Sequence, residues 1–574
     1  MAVERRDTAY LVWKLIRSQA GPYAWTALGW ILWNAWPLVP GLLAKLFFDA
    51  LTGRAPLGLG VSAVVALLVL SGLGRALAMH GATRAGVPLR FRLRALMQGN
   101  IVRHILRRPA AQAFEGSVGQ AISTLRDDAE AGALATDWPY DAFAGLAFGA
   151  GGLAILLAVN GRLTLLVFLP LTFLLLLANV ARSRLMSVRD LSRRTTADVT
   201  GAIAEIFSSV QAIQVAGAEA RILAHLKRLG EARRRATVTD TVTGLAFDGI
   251  FQYTMNLGAG MVLLIGAGQM HSGRFTVGDF ALFALYLMQV ADRMGFLGYL
   301  ISSYQQSAIA FRRLLNLMRG APARALVDRP PCPPPVVRTP APGESLRTLE
   351  VRGLGIIRAG TGVVTDVSFT IERGTVTAIT GRIGSGKSTL LRGILGLVPT
   401  DAGGTFWNGR VIENPGEFLV PPRSAYVPQR AHLFAGTLRQ NVVLDRELSE
   451  VDLSEVARAA VFGDDLARMP DGWDTPIGNQ GVRLSGGQAQ RVAIARALAR
   501  QADLTVLDDV SSALDGDTED LIWREMLRMR GTFLVVTHSA RLLQAARQII
   551  WLEQGRVVAL GSFNNLTARG LPSR

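Results

Sequence analysis

Residues 381–389 read Gly-Arg-Ile-Gly-Ser-Gly-Lys-Ser-Thr. The run fits the pattern G-x-x-x-x-G-K-[ST], in which glycines let successive backbone N–H groups cradle the phosphates of a nucleotide. Lys387 adds a point charge, and the Ser388 hydroxyl can hold Mg²⁺. Alone, the run indicates only nucleotide binding, because many unrelated nucleotide hydrolases carry it. The residues that it assigns to the nucleotide are Gly381, Arg382, Gly384, Ser385, Gly386, Lys387, Ser388 and Thr389.

The sequence around this run has the context that the motif requires. An apolar strand, Val376–Thr380, leads into the glycine run, and a helix over Ser388–Leu397 is expected to follow it. From about residue 347 onward, short β-branched strands alternate with helical stretches, which is typical of an α/β domain. A proline-rich segment precedes this domain and reads as a semi-extended linker. The predicted divisions are therefore a membrane domain at 1–318, a linker at 319–346 and a nucleotide-binding domain at 347–574.

Six long apolar stretches dominate the first half of the chain. Each reaches or approaches the ~20 residues that a helix needs to cross a bilayer. Core helices of a soluble protein would not produce six such runs without a soluble-domain pattern between them, so we predict an all-α domain with six spans. The stretches are Tyr23–Phe47, Leu59–Met79, Trp138–Val159, Leu163–Val180, Leu245–Gly268 and Phe275–Ile301.

The net charge of +17 is unevenly distributed. Lysine and arginine collect before the first span and in two long segments, 81–137 and 181–244, whereas the loops on the opposite side carry few. This asymmetry predicts that the N-terminus, the long segments and the C-terminal half are cytoplasmic, and it argues against nucleic acid as a partner. The two segments are too long for plain loops, so the spanning helices should continue into the cytoplasm. The alanine-, arginine- and glycine-rich composition favours a bacterial cytoplasmic membrane.

A second motif follows later in the chain. Residues 484–488 read Leu-Ser-Gly-Gly-Gln, and the helical stretch Ala-Gln-Arg-Val-Ala-Ile-Ala-Arg-Ala-Leu comes directly after them. This run resembles the signature of the ATP-binding-cassette (ABC) superfamily. The whole chain resembles the ABC exporters in which six spans precede one ATPase domain. In that family two such halves pair, so the resemblance implies a dimer that holds two ATP molecules between its cassettes.

The resemblance also implies roles for individual residues. The signature of one cassette would reach the γ-phosphate held by the other, with a helix N-terminus adding its positive end. Asp508, at the end of an apolar strand, would orient Mg²⁺, and Gln429 would sense the metal. The implied catalytic residues are Asp509, His538 and Gln429. The implied metal ligands are Ser388, Gln429 and Asp508. The implied nucleotide contacts beyond the glycine run are Arg358, whose guanidinium can stack on adenine, and Ser485, Gly486, Gly487, Gln488 and Asp515.

Three positions depart from the family pattern. Asp509 occupies the place where the family has a glutamate that polarises the attacking water, and its side chain is one methylene shorter. A displacement of ~1 Å at this point can cost on the order of 10²-fold in rate. Arg358 occupies the position of an aromatic residue that stacks on adenine, and Asn479 stands where exporters usually carry glutamate.

Two explanations of the Asp509 departure remain open. In the first, the chain is the half with a degenerate ATP site in a heterodimer, and its intact signature completes the site on its partner. In the second, a homodimer hydrolyses ATP slowly. A third hypothesis, from another class, is an ATP-gated regulator or channel that does not pump.

Polar side chains within spans often mark a transport path, and the candidates are Asp292, Arg293, Gln289, Gln252, Asp248 and Arg75. Turns at 110–119 and 211–219 are expected to transmit movement between the domains. A lipid, another small amphipathic molecule or a peptide all remain possible cargoes.

Overall fold

The computed structural model describes residues 5–53, 60–108, 118–271, 275–329, 344–358, 361–444, 446–478 and 484–568. Contacts divide the chain into two units, Met1–Val102 with Ser117–Arg329 and Arg103–Gly116 with Pro330–Arg574. The first unit is helical, and the second combines helices with three β-sheets. The predicted fold class, an all-α membrane domain followed by an α/β nucleotide-binding domain, is confirmed.

Helices account for the first unit, and several are far longer than the ~20 residues that cross a bilayer. The longest without an internal break has 53 residues, and another has 47. The long cytoplasmic continuations that the sequence predicts are therefore helical. The helices are α1 (Arg5–Ser18), α2 (Ala20–Ala35), α3 (Leu38–Leu51), α4 (Val61–Arg107), α5 (Val118–Ser123), α6 (Ala129–Leu134), α7 (Trp138–Ser208), α8 (Val210–Val215), α9 (Glu219–His271) and α10 (Val277–Leu317), with a π-helical turn at Thr124–Asp128 and a 3₁₀ turn at Ala323–Leu326.

Among the described residues, three helical stretches are long and apolar enough to span a membrane: Ala20–Leu51, Val61–Arg107 and Val118–Leu169. Two shorter apolar stretches lie at Asn256–Met270 and Val277–Leu287. The first predicted span is divided between α2 and α3 at Pro37, because proline has no N–H to donate to the preceding helical turn.

Two predicted spans lie within α7, which contains a break. Asn160 has non-helical backbone angles, φ −157° and ψ 90°, so α7 consists of two helices that meet there. The Asn160 carboxamide oxygen accepts from Leu163 N–H at 3.0 Å, and its Nδ2 donates to Gln269 Oε1 at 2.5 Å. The break lies between the predicted spans Trp138–Val159 and Leu163–Val180.

Several predicted polar and coupling positions can be placed in this unit. The Arg75 guanidinium lies 4.8 Å from the centroid of the Trp33 ring. Gln289 Oε1 is buried and has no hydrogen-bond partner within the described residues. The predicted turn at 211–219 comprises most of α8 and the residues after it, where Val215 is 91% exposed. Most of the turn at 110–119 and the side chains of Asp248, Gln252, Asp292 and Arg293 lie outside the described residues.

Within the first unit, the residues that follow α10 contact α1 and α4. Asn100, which is buried in α4, donates from Nδ2 to Leu326 O at 3.0 Å and to Asp328 O at 2.8 Å. Lys14 of α1 forms an ion pair with the Asp328 carboxylate at 2.7 Å. The first residues of the predicted linker are thus held by α1 and α4, while residues 330–343 lie outside the description.

The second unit contains a mainly parallel six-stranded sheet. Its strand order is β12-β11-β3-β10-β9-β6, and only the edge strand β12 runs antiparallel to its neighbour. The predicted strand Val376–Thr380 is β3, with the same bounds. The strands of this sheet are β3 (Val376–Thr380), β6 (Ser424–Val427), β9 (Leu504–Asp508), β10 (Phe533–Val536), β11 (Gln548–Glu553) and β12 (Arg556–Gly561).

Smaller sheets and helices surround this sheet. An antiparallel sheet has the order β2-β1-β4-β5, and β7 pairs with β8. Helix α11 ends three residues before the predicted Leu397, because Gly396 adopts φ +67° and terminates it. The remaining elements are β1 (Thr348–Arg358), β2 (Thr361–Glu372), α11 (Lys387–Ile394), β4 (Ala402–Trp407), β5 (Arg410–Val411), α12 (Pro415–Phe418), β7 (Gly436–Thr437), α13 (Leu438–Val443), α14 (Glu450–Ala459), α15 (Gly463–Ala467), β8 (Pro476–Ile477), α16 (Gly486–Leu498), α17 (Gly516–Arg528), α18 (Ala540–Ala545) and α19 (Phe563–Thr567), with 3₁₀ turns at Gly472–Asp474 and Val510–Ala513.

Candidate nucleotide-binding site

The parallel order of the six-stranded sheet determines where the predicted site residues meet. The strands β3, β10, β9 and β6 are neighbours, so their carboxyl ends lie along one edge. The glycine run follows β3, Asp508 ends β9, His538 follows β10, and Gln429 follows β6. Ligands of open α/β sheets bind outside the carboxyl ends of the strands. Residues far apart in sequence therefore collect at one edge.

The glycine run between β3 and α11 needs glycine at two positions for clear steric reasons. Gly381 has φ +142°, and a Cβ there would lie 2.0 Å from Leu552 O. Gly386 has φ +98°, and a Cβ there would lie 2.8 Å from Val363 O. The loop is also tied to the β11–β12 turn, because Gly555 N–H donates to Ser385 O at 3.0 Å. The backbone of the run therefore packs too closely against Leu552 and Val363 for a side chain at Gly381 or Gly386, and the hydrogen bond from Gly555 helps to hold the loop in place.

Polar groups of the glycine run fit a phosphate chain. Lys387 Nζ donates to Gly381 O at 2.8 Å and to Arg382 O at 2.9 Å, so the ammonium group lies against the loop. Burial lowers the pKa of Lys387, and the charges of Asp509 and Asp508 oppose that shift. Ser385 Oγ is buried and lacks a hydrogen-bond partner among the described residues, as expected where a ligand oxygen would bind.

The oxygen atoms around Asp508 fit a magnesium ion. Asp508 is fully buried, and its Oδ1 accepts from Ser388 Oγ at 2.7 Å. Its Oδ2 accepts from Tyr426 Oη at 3.2 Å and lies 4.0 Å from Arg392 Nη2. Hydroxyl and carboxylate oxygens are the ligands that Mg²⁺ prefers, usually with water completing the shell. Two of the three predicted metal ligands are therefore in direct contact.

Asp509 and Gln429, two of the predicted catalytic residues, also touch. Asp509 has φ +50°, and Gln429 Nε2 donates to Asp509 Oδ2 at 3.1 Å. The backbone of Asp509 is held at both ends, since its N–H donates to Val536 O at 3.1 Å and its carbonyl accepts from Ser512 Oγ at 3.0 Å. His538 is exposed just beyond β10 at the same edge.

The signature lies at the start of another helix. Ser485 is the N-cap of α16, where its Oγ accepts from Gln488 N–H at 3.2 Å and Gln488 Oε1 accepts from Ser485 N–H at 2.9 Å. This reciprocal pair is a capping box. Asp515 caps α17 by accepting from Thr518 N–H at 2.9 Å, and this bond lowers the pKa of its carboxyl group.

Two departures from the family pattern lie away from these contacts. Arg358 is exposed at the end of β1, and Asn479 lies outside the described residues. Sequence reasoning did not assign roles to Tyr426 and Arg392, although Tyr426 stands three residues before Gln429. Its contact with Asp508 arises because β6 pairs with β9, placing Tyr426 opposite Val506.

Comparison with known proteins agrees with this geometry. The family model for the ABC transporter transmembrane region matches residues 27–294, and the ABC transporter model matches residues 364–512. The chain is 30% identical over 430 residues to an ATP-dependent lipid A-core flippase of Bordetella avium, covering 73% of this chain and 70% of that protein. It is 29% identical over 425 residues to a protein of the same name from Thiobacillus denitrificans, covering 73% and 72%.

A solved structure of a bacterial Atm1-family ABC exporter with ATP bound has the same fold. It superposes with a TM-score of 0.72 at 20% sequence identity and covers 96% of each chain. The chain belongs to the ABC transporter family, as a multi-pass membrane ATPase in which the transmembrane region precedes the ATP-binding cassette.

Proposed function

We propose that this chain is one half of a dimeric exporter that uses ATP to move a lipid-like amphipathic molecule across a bacterial cytoplasmic membrane. The observation that carries the proposal is the contact of Ser388 with Asp508 and of Gln429 with Asp509 at one sheet edge, in a chain that also has membrane-spanning helices. The first contact is suited to nucleotide binding and the second to hydrolysis. Because the membrane-spanning helices belong to the same chain, hydrolysis could drive their rearrangement.

At the nucleotide, each of these residues would have a distinct task. The backbone of the glycine run and Lys387 would hold the phosphate chain, and Ser385 Oγ would gain the partner that it lacks. Ser388 and Asp508 would hold Mg²⁺, with Gln429 completing the predicted set. When bound, Mg²⁺ would neutralise charge that develops on the phosphate oxygens.

Water activation would be the task of Asp509, Gln429 and His538. Asp509 would accept a hydrogen bond from the attacking water. Gln429, which donates a hydrogen bond to Asp509, would orient the carboxylate and the water. His538 would contact the γ-phosphate from the end of β10. The carboxylate of aspartate reaches less far than that of glutamate, so we propose that this site hydrolyses ATP slowly.

Because this site would be slow, we propose that the chain pairs with a different half-transporter in a heterodimer. The signature of this chain is complete and its helix is well capped, so it is suited to complete a competent ATP site on a different half. A homodimer with two slow sites is the alternative. Binding of ATP would draw the cassettes together and hydrolysis would release them, which is alternating access driven by differential affinity.

The cargo proposal rests on the names of the relatives. The proteins from Bordetella avium and Thiobacillus denitrificans are ATP-dependent lipid A-core flippases. At 29–30% identity this supports a lipid-like cargo for the present chain without defining its headgroup. The distribution of basic residues supports a cytoplasmic position for the N-terminus and the cassette.

Assembly and hydrolysis can be tested together. The chain is purified in nanodiscs alone and after co-expression with candidate second halves encoded in the same genome, and molar mass and ATPase rate are measured for each. The heterodimer predicts a low rate for the chain alone and a rate at least tenfold higher in one pairing. A stable homodimer whose full rate needs no second chain would contradict it. Lys387→Ala serves as the control for hydrolysis at this chain's own site.

A further inference from the structure

Asp465 holds the helix that presents the signature. It lies in the short helix α15, and its side chain is 17% exposed. Both of its carboxylate oxygens accept hydrogen bonds from α16: Oδ1 from Gln488 Nε2 at 3.0 Å, and Oδ2 from Arg491 Nη2 at 2.5 Å. The two donors stand one helical turn apart. A single carboxylate therefore clamps the first two turns of the signature helix.

The contact with Gln488 determines how Ser485 is held. The carboxamide of Gln488 is used at both ends, because Oε1 accepts from Ser485 N–H while Nε2 donates to Asp465. Asp465 can only accept, so it keeps the amide nitrogen on its own side and the amide oxygen toward Ser485. Ser485 Oγ already accepts from Gln488 N–H, which leaves its hydroxyl proton free to donate to an anion.

The contact with Arg491 balances a charge near the signature. The Arg491 side chain is 13% exposed, and its Nε is buried without a hydrogen-bond partner among the described residues. A Cβ on Gly487 would lie 3.1 Å from Ala513 O and 3.8 Å from Arg491 Nη1, so this guanidinium lies close to the start of α16 and to the loop before Asp515. Without Asp465, this partly buried cation would lose its ion pair, which is costly for a charge shielded from water.

We propose that Asp465 is a positioning residue for ATP hydrolysis, which fixes Gln488 and Arg491 so that Ser485 can donate to the γ-phosphate. The proposal rests on the proposed function, in which the signature completes the ATP site of the opposite cassette. It assigns to α15 a role that neither the glycine run nor the signature motif includes. Asp465 would act through Gln488 and Arg491, which donate hydrogen bonds to it, and not by contact with the nucleotide.

The test compares two isosteric substitutions at adjacent positions in the assembled transporter. Asp465→Asn keeps the shape but removes the charge and lets the amide donate, whereas Asp464→Asn makes the same change at an exposed neighbour. Asp465→Asn should lower kcat at least tenfold. The KM for ATP should change less than twofold, and so should the affinity of this chain's own glycine run for an ATP analogue. Asp464→Asn should leave all three within twofold. Thermal unfolding midpoints verify that both variants fold.

A double-mutant comparison shows whether Asp465 acts through Gln488. Gln488→Ala alone should lower kcat. In the Gln488→Ala background, Asp465→Asn should reduce kcat by a smaller factor than it does in the wild type, because the contact between the two side chains is already absent. Fully multiplicative effects, or a kcat for Asp465→Asn within twofold of Asp464→Asn, would overturn the proposal. If Asp465→Asn fails to fold, Arg491→Lys replaces it, with a three- to tenfold loss expected and no loss contradicting the role.

Failure of the proposed function is recognised separately. Lys387→Ala acts on this chain's own site, whereas Asp465→Asn acts through the signature on the opposite site. A heterodimer should lose little rate with Lys387→Ala and much with Asp465→Asn. Large losses of rate with both substitutions would contradict the heterodimer but support the positioning role of Asp465. A large loss with Lys387→Ala alone would contradict the positioning role of Asp465.

Discussion

Replacing Asp509 with glutamate should accelerate hydrolysis at this chain's own site. The backbone of Asp509 cannot shift to compensate for a short side chain, because hydrogen bonds to Val536 and Ser512 hold it on both sides. Its carboxylate is also occupied by Gln429 at 3.1 Å. In the proposed mechanism, the shorter side chain of aspartate must therefore make a longer or poorly aligned hydrogen bond with the attacking water.

The size of the gain follows from this geometry. One methylene adds a carbon–carbon bond of about 1.5 Å, and the fixed backbone passes most of this length on to the position of the carboxylate. A misplacement near 1 Å costs on the order of 10²-fold in rate. Asp509→Glu is therefore expected to raise the rate by roughly 10- to 100-fold, equivalent to about 1.4–2.7 kcal/mol.

Single-turnover hydrolysis of radiolabelled ATP by the assembled transporter in nanodiscs, with the phosphate-loop lysine of the second half substituted, measures this step at the present chain's own site without interference from product release. Asp517→Glu adds the same methylene at an exposed position in α17 and should leave the rate unchanged. Asp509→Asn keeps the length but removes the base and should lower the rate at least tenfold. A rate for Asp509→Glu within threefold of the wild type would refute the argument that reach limits this site.

Two further predictions concern side chains that support the site and the first unit. Tyr426→Phe removes the donor to Asp508 Oδ2 and should lower hydrolysis roughly tenfold, or about 1.4 kcal/mol; an unchanged rate would contradict a role in positioning Asp508. Burial, with a smaller contribution from Asp508, raises the pKa of Tyr426 to about 12. Its phenol should therefore stay protonated up to pH 10, and the stability that it contributes should be lost only as pH rises further, through about 12. Asn100→Ala leaves the carbonyls of Leu326 and Asp328 without their donor, so it should destabilise the first unit by about 1–3 kcal/mol, seen as a lower thermal unfolding midpoint in detergent. A midpoint equal to that of the wild type would contradict this anchoring role.

The parts of the site that the sequence predicts well depend on neighbours in the chain. The glycine run needs only positive φ angles and a strand before it, and the Ser-x-x-Gln spacing of Ser485 and Gln488 is itself the pattern of a capping box. The role of Asp508 was implied by the family resemblance, and its position at the end of an apolar strand agrees with that role. Charge asymmetry and apolar length were likewise sufficient to predict a helical membrane domain, which needs no knowledge of tertiary contacts.

The contacts that the sequence did not reveal are tertiary. Tyr426 reaches Asp508 only because β6 pairs with β9 in one register. Asp465 reaches Gln488 and Arg491 because α15 packs beside α16, and no spacing in the sequence indicates this contact. The division of the first span follows from Pro37, whose missing N–H interrupts a helix that remains apolar across the break.

ATP-driven lipid movement in proteoliposomes tests the central claim most directly. The assembled transporter is reconstituted with fluorescent lipids of several headgroups, and the fraction that crosses the bilayer is followed with ATP and with a non-hydrolysable analogue. We predict ATP-dependent translocation of at least one lipid, abolished when Lys387→Ala is combined with the matching substitution in the second half. ATP hydrolysis without movement of any lipid would contradict a lipid-like cargo, and lipid movement that persists in the doubly substituted transporter would contradict ATP-driven export.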